Sequence, residues 1–297
     1  MEHDLGTHGG SPGQDALGWV LFDALVALAL VAAAAGYAAA LWAARRRGTW
    51  PTSRLLAWYA GVACAGAGLI GPIAAAARTS FTAHMGGHLL LGMLAPLLLV
   101  LGAPVTVILR ALPVTGARSL TRLLRTPAVR VVTHPGVAAT LNAGGLWTLY
   151  TTDLYQLMHA SAFLHGLVHA HIFLAGYVFT ASLVGPDPDP HRASTPVRAV
   201  VLVGFVAAHS ILAKWLYAHP PAGVGSSDGQ VGAQLMYYGG DMVDVTLIVL
   251  LFTGWYAATR PRGSVPPDPA MGTGNLDGPN HGSLTRLSAK TTARRRR

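Results

Sequence analysis

Charge is scarce in this sequence. Of its 297 residues only 11% are charged and 52% are hydrophobic, whereas a soluble domain carries about 25% charged residues. Water is therefore not its main solvent. Cysteine is nearly absent. The single Cys64 lies inside an apolar run, which excludes an intrachain disulfide and any CxxC or CxxxC metal-handling pair. Bound metal would have to rest on His, Met and carboxylates. Acidic residues are also few, 12 against 21 Lys and Arg, for a net charge of +9. Such an excess can serve nucleic acid, but here the basic residues sit between apolar runs and at the tail rather than along one folded face, which argues against a nucleic-acid partner. No A-x-A site follows the acidic, His-bearing MEHDLGTHGG, so no cleaved signal peptide is expected. No nucleophile, base and oxyanion set is visible, so the chain does not read as an enzyme.

What is present is long apolar sequence. A helix needs about 20 mainly apolar residues to cross a bilayer core, and seven stretches reach about that length: 16–44, 54–77, 80–109, 135–152, 160–184, 198–218 and 232–258. The expected fold class is all-α, a polytopic membrane protein with a bundle of about seven transmembrane helices. The expected organisation is an external N-terminal segment (1–15), a seven-helix transmembrane domain (16–258) and a disordered basic cytoplasmic tail (259–297) rich in Pro, Gly and Ser. Lys and Arg are retained on the cytoplasmic side of short loops. Alternating the loops puts 19 of the 21 basic residues on one side, leaving Arg78 and Lys214 on the other. The N-terminus is thus expected outside and the C-terminus inside a bacterial plasma membrane. Between the third and fourth stretches, RALPVTGARSLTRLLRTPAVRVVTHP is basic and intermittently apolar, and part of it fits an amphipathic segment on the inner surface.

Ionisable groups inside a membrane span are costly and usually face the bundle interior. Here they share the outer half. His84 and His88, four residues apart, project from one helical face. In MHASAFLHGLVHAHIFLAG, Met158, His165 and His169 share a face and His171 turns away from His169. His209 lies in the sixth stretch, and Asp241 and Asp244 lie in the seventh. His169, His171, His209 and Asp241 fall roughly 13 to 17 Å from their outer helix ends at about 1.5 Å per residue. Imidazole is the commonest metal ligand, and thioether favours Cu(I). The candidate metal ligands are accordingly His84, His88, His165, His169, His171, His209 and Asp241, with Met85, Met158, Met236 and Met242 as additional soft donors and Asp23 and Asp244 as supporting carboxylates. The plainer reading is polar packing: a lone intramembrane His commonly fixes helix contacts, and Met is ordinary apolar filler. His134, His159, His191 and His219, near loops, read that way.

The stretch from Phe81 to Pro113, FTAHMGGHLLLGMLAPLLLVLGAPVTVILRALP, resembles the AHM-x-x-HM-x-L-x-x-x-AP-x-LL-x-LGAP block of the CtaG type of cytochrome c oxidase assembly factors. His134 with Pro135, the segment carrying His165, His171 and Gly176, the loop GPDPDPHR from Gly185, His209, and DGQVGAQLMYYGGD from Asp228 to Asp241 resemble further elements of that family. Gly229, Tyr237 and Asp241 stand where Gln, Trp and Glu are usual. The resemblance covers roughly 55–258 and implies a role in maturing a haem-copper oxidase, with an oxidase subunit and the lipid bilayer as partners. The expected cargo or cofactor is copper, bound or delivered from the outer half of the membrane. The alternatives are a membrane cytochrome with two axial histidines on haem, and a proton or cation transporter, which the few ionisable groups of the inner half weaken.

Overall fold

A computed structural model describes residues 12–260, with side chains from residue 17 onward. The expected external segment and basic tail lie outside the described residues except at their margins. Every regular element among the described residues is helical: α1 (Pro12–Ala44), α2 (Thr52–Leu69), α3 (Pro72–Ala76), α4 (Phe81–His88), α5 (Ala95–Leu101), α6 (Pro104–Ala111), α7 (Val114–Leu124), α8 (Pro127–Val132), α9 (Pro135–Thr151), α10 (Leu154–Ala160), α11 (Ala162–Val184), α12 (Thr195–Ala218) and α13 (Ser226–Thr259). A π-helical turn, Leu89–Leu94, joins α4 to α5, so that Phe81–Leu101 forms one span.

The chain is a multi-pass membrane protein. Six helical stretches are long and apolar enough to cross a bilayer. The seventh expected span, α9, has 17 residues, at the lower limit for crossing, and it packs against α11 and α12 with Thr140, Leu141 and Thr148 exposed. The surface is what lipid requires: Leu21, Leu25, Leu28, Phe163, Val200, Val203 and Val249 are all exposed.

The expected third span, 80–109, is corrected by the fold. Its helix ends at Leu101, and Ala103 takes a left-handed conformation (φ 51°) before Pro104 opens α6. Pro104 has no N–H to donate back to the preceding turn, so the chain can re-aim there although the sequence stays apolar. The Tyr37 hydroxyl donates to the Gly102 carbonyl at 2.8 Å and the Trp50 indole donates to Tyr37 at 3.0 Å, locking this corner to α1. The basic segment beyond it forms α7 and α8, with Val114, Leu123 and Val131 exposed among the arginines.

Two larger apolar layers make up most of the core, beside a smaller cluster of Ala65, Leu91 and Ala95. One contains Phe81, Met85, Leu149, Tyr150, Met158, Leu212, Leu216 and Met236. The other contains Leu97, Phe179, Leu183, Leu202, Phe205, Leu247 and Leu251. Along four helices a buried polar residue lies between the layers: His88 after Met85, Asn142 before Leu146, His209 before Leu212, and Asp244 after Met236. The two layers thus enclose a polar belt. Helices cross closely at its level: a Cβ on Gly176 of α11 would collide with the Gly92 carbonyl in the π turn, and a Cβ on Gly240 would stand 2.5 Å from the His209 ring.

Candidate functional site

Two long-range carboxylates set the frame. The first N–H groups of a helix have no partner within it, and at α4 they are met from α13. Asp228 accepts from the Phe81 N–H at 2.6 Å, the Thr82 N–H at 3.0 Å, the Thr82 hydroxyl at 2.6 Å and the Ser80 hydroxyl at 3.1 Å. Asp187, in the loop after α11, does the same for α6, accepting from the N–H groups of Val105 (3.1 Å) and Thr106 (2.7 Å) and the Thr106 hydroxyl (2.6 Å). Arg192 in turn donates to the carbonyls of Gly185 and Asp187, holding the loop. Asp228 therefore fixes the start of the helix whose next two turns present His84 and His88.

Near that end of the bundle, imidazoles from three helices gather. His84 is buried, its Nε2 3.1 Å from the Tyr150 hydroxyl of α9, and that hydroxyl also lies 3.8 Å from the Met85 sulfur. The His84 ring centre is 5.8 Å from His159 of α10 and 6.3 Å from His169 of α11. His169 stacks on His165 at 4.0 Å, and each of His159 and His169 places Nδ1 against the carbonyl one turn back. His165 in turn meets Trp19 and Phe22 of α1. Tyr155 stands 5.1 Å from His84, and burial, reinforced by Asp228, pushes its phenol up to about 12. His159 reads from sequence as a loop residue, and Tyr150 and Tyr155 carry no local signal at all. Only tertiary packing brings them to His84.

One turn deeper lies the belt. The rings of His88 and His209 are 6.4 Å apart, and all four of their nitrogens are buried without a hydrogen-bond partner. Both carboxylate oxygens of Asp244 are in the same condition. Phe205, of the layer that contains Phe179 and Leu247, packs on His209, and Gly240, one turn before Asp244, packs on it from α13.

Four expected site residues lie elsewhere. At 100° per residue the buried face of α13 runs through Met236, Gly240, Asp244, Leu247 and Leu251. That rotation leaves Asp241 half-buried and Met242 75% exposed, so the interior carboxylate is Asp244. His171 faces α9, where its Nε2 lies 3.1 Å from the Leu141 carbonyl and its ring covers Gly145, and it is exposed. Asp23 is exposed on α1. Met85, Met158 and Met236 are fully buried in the apolar layer that contains Phe81 and Tyr150. Among the described residues no three His, Cys, Asp or Glu side chains lie close enough to hold one metal ion together.

Residues 35–258 match the family described as cytochrome c oxidase caa3 assembly factor (Caa3_CtaG). Uncharacterized proteins of Mycobacterium bovis and Mycobacterium tuberculosis are each 37% identical over 201 residues, and one of Mycobacterium leprae is 32% identical over the same length. Each match covers 64% of this chain and 30% of the relative. The chain thus spans under a third of the length of these relatives. No solved structure matches.

Proposed function

Since the chain belongs to the family of cytochrome c oxidase caa3 assembly factors, we propose that it serves oxidase maturation by handling copper as cargo through the imidazoles in the outer half of the bundle. The supporting observation is the His88–His209 pair. Four buried ring nitrogens without a partner are unfavourable in a structural role, because each unpaired buried polar group costs about 1–3 kcal/mol. As a ligand to a soft cation, the lone-pair nitrogen of each ring has a use. His84, His159, His165 and His169 lie nearer the outer end and would receive the ion first, with Met85 as the adjacent thioether. Two-ligand binding suits Cu(I), and a cargo ion must be released again, so a pair is a better vehicle than a closed four-ligand cage. We also propose that the protein lies in the plasma membrane with its N-terminus outside, and that an oxidase subunit is the recipient.

The test is replacement of His88 or His209 with Ala. Each removes a candidate ligand and little volume, so abundance should hold while copper-loaded oxidase falls at least tenfold, with His191→Ala as the control. Normal oxidase at normal abundance would leave the pair with a packing role only. In the haem reading His169 would supply an axial imidazole, since it lines an apolar cleft of about 580 Å³ between α1, α2 and α11. A Soret band that shifts on reduction of the purified protein would favour that alternative.

A further inference from the structure

The arginines at the α6–α7 end of the bundle divide into two groups. Three lie over indole rings: Arg45 over Trp42, and Arg54 and Arg110 over Trp50, and Arg110 also donates to the carbonyls of Arg47 and Gly48. Arg118, Arg122 and Arg125 are different. They fall at i, i+4 and i+7 on α7 and its cap, hence on one face. Together with Arg47 they line a single open cleft of about 680 Å³ that, among the described residues, contains no carboxylate. All four are exposed, and the side-chain bonds they make are to the neutral Ser119 hydroxyl and Leu112 carbonyl. Like charges four apart on a helix repel one another. A surface that collects them without a counter-charge is therefore shaped for an anion from outside the chain.

We propose that this cleft binds the phosphate headgroup of an anionic membrane lipid. Guanidinium forks suit phosphate oxygens, and the exposed Val114 and Leu123 of the same helix give the acyl chains an apolar neighbour at the membrane surface. The site is independent of the copper reading.

The test uses the full chain purified in detergent and native mass spectrometry with equimolar phosphatidylglycerol and phosphatidylcholine. The parent should retain phosphatidylglycerol selectively. At about fivefold per basic residue, R118Q/R122Q should weaken that retention roughly 25-fold. R118K/R122K, keeping the charge but losing the fork, should fall in between. R45Q/R46Q, which removes the same charge from the same end, should retain the lipid as the parent does. Equal losses in the two Gln pairs would mean diffuse attraction and overturn the site, as would a parent that does not distinguish the two lipids. Displacement of phosphatidylglycerol by inorganic phosphate at the lipid's own concentration would overturn the lipid assignment in favour of a free anion.

Discussion

Asp244 and Tyr150 are the residues at which polar chemistry meets the apolar interior most sharply. Asp244 is 2% exposed and neither oxygen is bonded. An amide of the same shape costs less to bury than an unpaired carboxylate. Asp244→Asn should therefore match or exceed the parent in thermal unfolding in detergent, by roughly 1 kcal/mol, while copper-loaded oxidase declines. A fall in stability would instead point to a bonded, structural carboxylate. Tyr150→Phe should do the opposite. It removes the hydroxyl beside His84 Nε2 and should lower stability by about 1–3 kcal/mol, a loss readable in the same unfolding measurement. At this scale the sequence is informative about depth and silent about rotation and partners. His84, His88 and His209 could be assigned a level in the membrane from their distance to helix ends. Choosing between Asp241 and Asp244 requires knowing which face of α13 meets α12. Pairing Tyr150 with His84, 66 residues apart, requires the fold itself.

Among the helices, the apolar runs were legible because hydropathy depends on composition alone. The break at Gly102–Ala103 was hidden because LGAPV remains apolar on both sides of it. The π-helical turn was equally hidden, since widening one turn leaves no mark in composition, yet it sits directly after His88 and against α11. Such turns recur at functional sites. The two carboxylate caps show the cost of missing tertiary context: Asp187 and Asp228 stand out in sequence only through the family resemblance, and in the fold each satisfies the start of a distant helix. A local cap is worth about 0.5–2 kcal/mol. Because Asp228 accepts four bonds, Asp228→Ala should reach the upper end of that range, and hydrogen exchange should show the first turn of α4 opening before the rest of the span. Unchanged protection at Phe81–His84 would mean that α13 does not hold α4 in place.

Over the whole molecule, the asymmetry of basic residues gives a topology that the bundle can be tested against. Reporter fusions after Arg47 and near Arg122 should read cytoplasmic, and fusions near Arg78, Asp153 and Gly225 external. One inverted position within that series would break the seven-span arrangement, and α9, with its 17 residues, is the element it would most directly challenge. The number of spans could be read almost fully from sequence. The stacking of two apolar layers around a polar belt could not, because it arises from the heights at which separate helices meet.

The bond between Asp228 and α4 also bears on how the protein is made. Its partners are 146 to 148 residues apart, and a chain emerges from the ribosome N-terminus first, at about 5–20 residues per second. The helix bearing His84 and His88 must therefore enter the membrane with its first amides unanswered and wait roughly 7 to 30 s for α13. His209 and Asp244 arrive in that same late interval. The histidines are thus all present once α12 is made, but the carboxylates that frame them come only with the last span, and a chain interrupted before it carries its imidazoles without that frame.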